Sequence, residues 1–129
     1  MAKVTPPRPT DAELEILQVI WNKGPSTVRE VHAELSKVRT TGYTTVLKLM
    51  QIMGEKRLVR RNEDQRAHVY EAMLPQKTTQ RQLVRDLVER AFRGSAAGLV
   101  MQALAAKPAT REELRQIRQL LDDYERGKQ

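Results

Sequence analysis

Apolar side chains along the first half of the chain recur three and four positions apart, the repeat of a helix buried on one face. Leu14, Leu17, Ile20 and Trp21 mark a first helix over 11–22, opened by Thr10-Asp11-Ala12-Glu13 and stopped by Lys23-Gly24-Pro25. The Thr and Glu three apart form a capping box, each side chain satisfying a backbone N–H near the other. Thr27-Val28-Arg29-Glu30 repeats the device and opens a short second helix with Val28, Val31 and Leu35 on one stripe. A polar, basic connection follows over 36–41. Gly42 then precedes a third helix, 43–54, with Val46, Leu49, Met50 and Met53 facing inward. Beyond it the repeat drops from about 3.6 to about 2. Leu58–Arg61 and Ala67–Ala72 read as short strands joined by polar residues 62–66, a hairpin that ends before Pro75.

Three helices and a terminal hairpin, with a short turn between the second and third helices, spell a winged helix-turn-helix. The rest of the chain is helical. Thr79–Phe92 carries Leu83, Leu87, Val88 and Phe92, and Ser95 caps a small-residue helix, Ala96–Ala106, with Leu99, Val100 and Leu104. A third capping box, Thr110 to Glu113, opens a last helix bearing Leu114, Ile117, Leu120, Leu121 and Tyr124. Three modest amphipathic helices do not bury their faces alone. These twelve side chains are therefore expected to form a dimerisation surface. The expected class is mainly α with a small β-hairpin: a flexible arm over 1–9, a winged-helix domain over 10–75 and a helical dimerisation domain over 76–129.

Length and charge sharpen this picture. The chain has 129 residues and a net charge of +7, which favours a polyanionic partner. Between Ser36 and Arg61 seven basic residues face Glu55 alone, so the positive field is concentrated around the third helix and the hairpin. The outer face of that helix presents Tyr43, Thr44, Thr45, Leu47, Lys48 and Gln51. These are polar readers for a DNA major groove, with Leu47 suited to a thymine methyl. Lys56, Arg60, Arg61 and Arg66 suit phosphates or a narrow minor groove.

Enzymatic chemistry finds little footing. The chain has no cysteine, hence no thiolate nucleophile, thiolate metal site or disulfide. His32 and His68 stand apart from any clustered third ligand, and Glu112, Glu113, Asp122 and Asp123 are helix-end charges. The six glycines are scattered singly, so there is no phosphate loop and no cofactor or metal site is expected. The N-terminus lacks the apolar run of a signal peptide, and the longest uncharged stretch, 94–106, is short of the roughly 20 residues a membrane span needs. A cytoplasmic location is expected. Two other readings stay open: a winged helix docking an acidic protein, and a regulator sensing a small molecule between its C-terminal helices.

The run Pro9–Leu17, then Ile20-Trp21 and Thr27–Val31, resembles the penicillinase-repressor family, the BlaI/MecI/CopY-type bacterial regulators. So do Tyr43-Thr44-Thr45-Val46, Glu55–Arg61, Val69-Tyr70 and Leu99-Val100, and the likeness extends from Pro9 to Asp122. The resemblance implies a winged helix on a dyad DNA operator, a C-terminal three-helix homodimer, and repression relieved when that region is altered. Copper-responsive members carry a C-terminal cysteine motif, and this chain ends Tyr124–Gln129 without one. In β-lactam-responsive members a membrane sensor protease triggers a cut in the second C-terminal helix. The corresponding position here is Gln102-Ala103.

Overall fold

A computed structural model describes residues 8–64 and 66–127. The arm expected over 1–9 lies outside them except for Arg8 and Pro9, and Pro9 is buried. Six helices and one hairpin follow in the order α1 (Asp11–Lys23), α2 (Val28–Ser36), α3 (Tyr43–Glu55), β1 (Val59–Asn62), β2 (Val69–Ala72), α4 (Gln76–Ala91), α5 (Ala96–Ala106) and α6 (Arg111–Glu125). They form two compact units, Met1–Leu83 and Val84–Gln129. The division falls inside α4, past the expected position at 75/76. The reason is visible in the first turn of α4: Pro75 O accepts from the N–H groups of Thr78 and Thr79, and Thr79 is buried.

In the first unit the stripes read from the sequence converge. Ile16, Leu17 and Ile20 of α1 meet Val28, Val31 and Leu35 of α2 and Val46, Met50 and Met53 of α3. Leu58, Val59 and Tyr70 close the core from the hairpin, while Leu49 and Trp21 pack half-buried at its margin. Burying an aliphatic side chain of this size contributes about 1.5–3 kcal/mol, which here fixes three helices against one hairpin. All three capping boxes form as expected.

The hairpin is antiparallel, pairing Val59 with Ala72, Arg60 with Glu71, Arg61 with Tyr70 and Asn62 with Val69. A third segment joins it. Ser26, in the turn between α1 and α2, exchanges backbone hydrogen bonds with Tyr70 at 2.9 and 2.8 Å. Gly24 permits that turn with φ 99°, a left-handed backbone costly to other residues. Trp21 donates its indole N–H to Leu74 O at 3.0 Å, tying the end of the hairpin back to α1. The chain leaves α3 through Arg57 at φ 64°, and Leu58 N–H closes the helix end on Met53 O at 2.9 Å.

In the second unit Gly94 (φ 83°) follows the end of α4, and its N–H reaches back to Val88 O at 2.9 Å. Ser95 caps α5 by accepting from Gly98 N–H. Neither α5 nor α6 buries any residue fully. No described helix is long and apolar enough to cross a membrane.

Candidate nucleic-acid interface

α3 starts differently from its neighbours. Helices α1, α2 and α6 each begin with a threonine–glutamate box and carry acid in the first turn, whereas α3 begins at Gly42 with no side-chain cap and no acid. Its first N–H groups and the positive end of its dipole are left open to an anion. His32 of α2 braces this end: its Nε2 lies 2.8 Å from Thr41 O, and its ring meets that of Tyr43 edge-on at 5.7 Å between centroids.

With Val46, Met50 and Met53 fully buried, the helical repeat turns Tyr43, Thr44, Thr45, Lys48 and Gln51 outward, and all five are exposed. Leu47 is half-buried and also packs on the core, so it offers only part of its side chain to a ligand.

The hairpin arginines differ from one another. Arg60 pairs with Glu71, its cross-strand neighbour, and Arg61 pairs with Glu63. The Glu63 carboxylate, and after it the Tyr70 hydroxyl, hold the proton of Arg61 more firmly than usual. Arg66 is exposed and has no ion-pair partner among the described residues.

Lys56, one of the residues expected to meet DNA, is engaged within the chain. Its Nζ lies 3.0 and 2.9 Å from the two carboxylate oxygens of Glu13, which is buried at 2% exposure. Burial pushes the Glu13 carboxyl up, but the Thr10 backbone N–H, Lys56 and the Thr10 hydroxyl together bring it below its ordinary range. A lysine expected to meet DNA is thus the counter-ion of a buried carboxylate.

One open groove of about 610 Å³ brings much of the expected surface together: Tyr43, Leu47 and Gln51 from α3, with Arg61 and Arg66 from the hairpin. Thr44, Thr45 and Lys48 lie outside its lining, and Arg60 lines a neighbouring groove with Arg57 and Met50. The 610 Å³ groove also includes Arg29 and His68, neither of which the sequence assigns to the DNA face. Arg29 sat inside a capping box and His68 inside a strand-like run, so each already had a local explanation. No cluster of three or more metal-ligating side chains occurs among the described residues.

The side chains expected to dimerise are not buried within the chain. Leu83 falls in the first unit and is half-buried. In the second unit Val88, Phe92, Leu99, Leu104, Leu114 and Ile117 are half-buried. Leu87, Val100, Leu120, Leu121 and Tyr124 are exposed, between 44% and 58%. Gln102 and Ala103 are exposed on α5.

Comparison with known proteins agrees with this geometry. Bacillus licheniformis penicillinase repressor is 25% identical over 122 residues, covering 95% of each chain. The transcriptional regulator BlaI of Mycobacterium tuberculosis is 42% identical over 71 residues, 54% of this chain, and there the chain spans only 50% of the relative's length. Among solved structures, the monomeric form of Bacillus licheniformis BlaI in complex with the blaP half-operator superposes with a TM-score of 0.50 at 29% identity. That match covers 57% of this chain and 89% of the other. The family model described as penicillinase repressor matches residues 9–123. With that match across nearly the whole chain, this protein belongs to the penicillinase repressor family.

Proposed function

We propose that this protein is a transcriptional repressor that binds a dyad DNA operator as a homodimer. The observation that carries the proposal is the joining of the exposed α3 face and the hairpin arginines Arg61 and Arg66 in one groove. α3 lies in the major groove, where Lys48 reaches guanine acceptors or phosphate and Gln51 pairs with adenine. Tyr43, Thr44 and Thr45 flank them, and the exposed part of Leu47 meets a thymine methyl. The open first turn of α3 faces a phosphate, and Arg60, Arg61 and Arg66 follow the adjoining backbone or minor groove.

The second unit supplies the pairing. Its exposed Leu87, Val100, Leu120, Leu121 and Tyr124 support a surface completed by a second copy. Two winged helices then address half-sites about one helical turn (~34 Å) apart, and loosening the second unit releases the operator. If release is by cleavage at Gln102-Ala103, which family resemblance alone suggests along with a membrane sensor protease, α5 must first open locally, because the bond lies within a helix.

The test is operator selection from a random duplex library, followed by stoichiometry on the selected site. The expected result is an inverted repeat bound by two chains. Retention of single, asymmetric sites by one chain would refute the dyad mechanism, and failure to retain any duplex would refute DNA binding altogether.

A further inference from the structure

The groove between α2, α3 and the hairpin holds more cationic chemistry than reader helix and wing arginines require. Arg29 stands on the first turn of α2, with Glu30 beside it turned to cap Thr27 N–H at 2.9 Å. Arg66 and His68, two residues apart on the chain, line the same groove from the hairpin. All three are exposed, and none has a hydrogen-bond or ion-pair partner among the described residues. Tyr43 of α3 lines the groove as well. Arg61 lines the groove too, already paired with Glu63.

Taking the DNA-binding reading above as given, we propose that Arg29, Arg66 and His68 form a phosphodiester clamp that holds one backbone strand between α2 and the hairpin, with His68 protonated in the complex. The charge pattern supports an anion. The wall residues are two arginines and an imidazole, and the acids next to them are occupied elsewhere, Glu30 with Thr27 N–H and Glu63 with Arg61. A backbone strand also suits the site, because the groove is open and lined from three elements rather than closed around a small ligand. The imidazole gives the clamp a property its arginines lack. A guanidinium keeps its proton throughout the accessible range, whereas histidine gains or loses one in the physiological range. Phosphate favours the protonated ring, so DNA binding takes up a proton at this position. Affinity is therefore highest at mildly acid pH and falls as pH rises through the titration of the bound imidazole.

The experiment uses the full chain and a fluorescein-labelled duplex of mixed sequence about three helical turns long, since phosphate contacts do not depend on sequence. Affinity is measured by anisotropy over a salt series and between about pH 6 and about pH 8. Arg29→Ala is expected to reduce the slope of log affinity against log salt by about 0.9 per bound chain. His68→Gln is expected to lose about fivefold in affinity at the acid end and to flatten the pH profile, its binding at the alkaline end matching wild type. Both side chains are exposed and unpaired, so both variants should melt as wild type does.

An unchanged salt slope in Arg29→Ala, or a pH profile in His68→Gln that follows wild type, overturns the clamp while leaving DNA binding in place. A wild-type chain that fails to bind the duplex overturns the DNA-binding reading itself. His32, the other histidine of the chain, is held by Thr41 O and remains in both variants, so the difference between profiles reports His68 alone.

Discussion

The two units solve the problem of burying apolar surface in opposite ways. In the first, five of the core side chains (Ile16, Val31, Val46, Met50 and Met53) reach 0% exposure, and three helices share one core with the hairpin. In the second, α5 and α6 bury nothing fully, and α6 leaves Leu120, Leu121 and Tyr124 more than half exposed. Both contain amphipathic helices with well-made caps. The difference teaches that good helix ends do not make a finished domain: an apolar stripe must meet a matching surface in its own chain or wait for one from another. Under the proposed function, the half that must hold one geometry against DNA is the first, and the half whose contacts would be gained and lost is the second.

Substitutions divide along the same line. The largest effect is expected from Met50→Ala, a cavity at the centre of the first unit, costing about 2–5 kcal/mol. Denaturant unfolding followed by the fluorescence of Trp21, the single tryptophan, measures it. A loss below about 1 kcal/mol would mean that this core is not the rigid half of the molecule.

Lys56→Met tests the buried pair and should cost about 1–3 kcal/mol by leaving the Glu13 carboxylate without its cation. The pH dependence has a definite sign. Glu13 is depressed below the ordinary carboxylate value of about 4.5, so its stabilisation is complete above that value and is lost as pH falls through the folded-state value. The Lys56→Met variant should show a smaller acid-induced loss over that window, read by the same unfolding signal.

Leu120→Asp addresses the second unit. It is expected to weaken self-association at least tenfold, about 1.4 kcal/mol, in sedimentation equilibrium while leaving the Trp21-detected transition of the first unit unchanged. A wild-type chain that remains monomeric at micromolar concentration would break the comparison. Lys48→Ala is expected to cost about 1 kcal/mol on the selected operator and less on mixed-sequence duplex if it reads a base, whereas equal losses would assign it to phosphate.

The smallest effect is expected at Arg57, whose positive φ suits glycine. Arg57→Gly should stabilise the first unit by about 0.5 kcal/mol, visible as a small rise in the unfolding midpoint.

Much of this molecule was legible along the chain, and particular residues show why. The capping boxes at Thr10, Thr27 and Thr110 join groups three residues apart, so their geometry follows once a helix starts. The stripe of α3 put Val46, Met50 and Met53 inside and thereby turned Tyr43, Thr44, Thr45, Lys48 and Gln51 outward. The apolar repeat places the start of α4 at Thr79, whereas the helix begins at Gln76, because its first turn carries no apolar repeat and is held by Pro75 O and the burial of Thr79.

What local pattern determined, then, was the succession of helices and hairpin, the buried stripes and the polar face of α3, since each depends on a repeat or a cap spanning a few residues. Tertiary structure alone decided which distant groups meet. Lys56 is bound to Glu13 43 positions away, Trp21 to Leu74 at a separation of 53, and Ser26 is bridged to Tyr70 as a third strand segment. Arg29, Arg66 and His68 come to line one groove by the same kind of decision. Periodicity tells which way a side chain points from its own element, while its partner is chosen by how the elements pack.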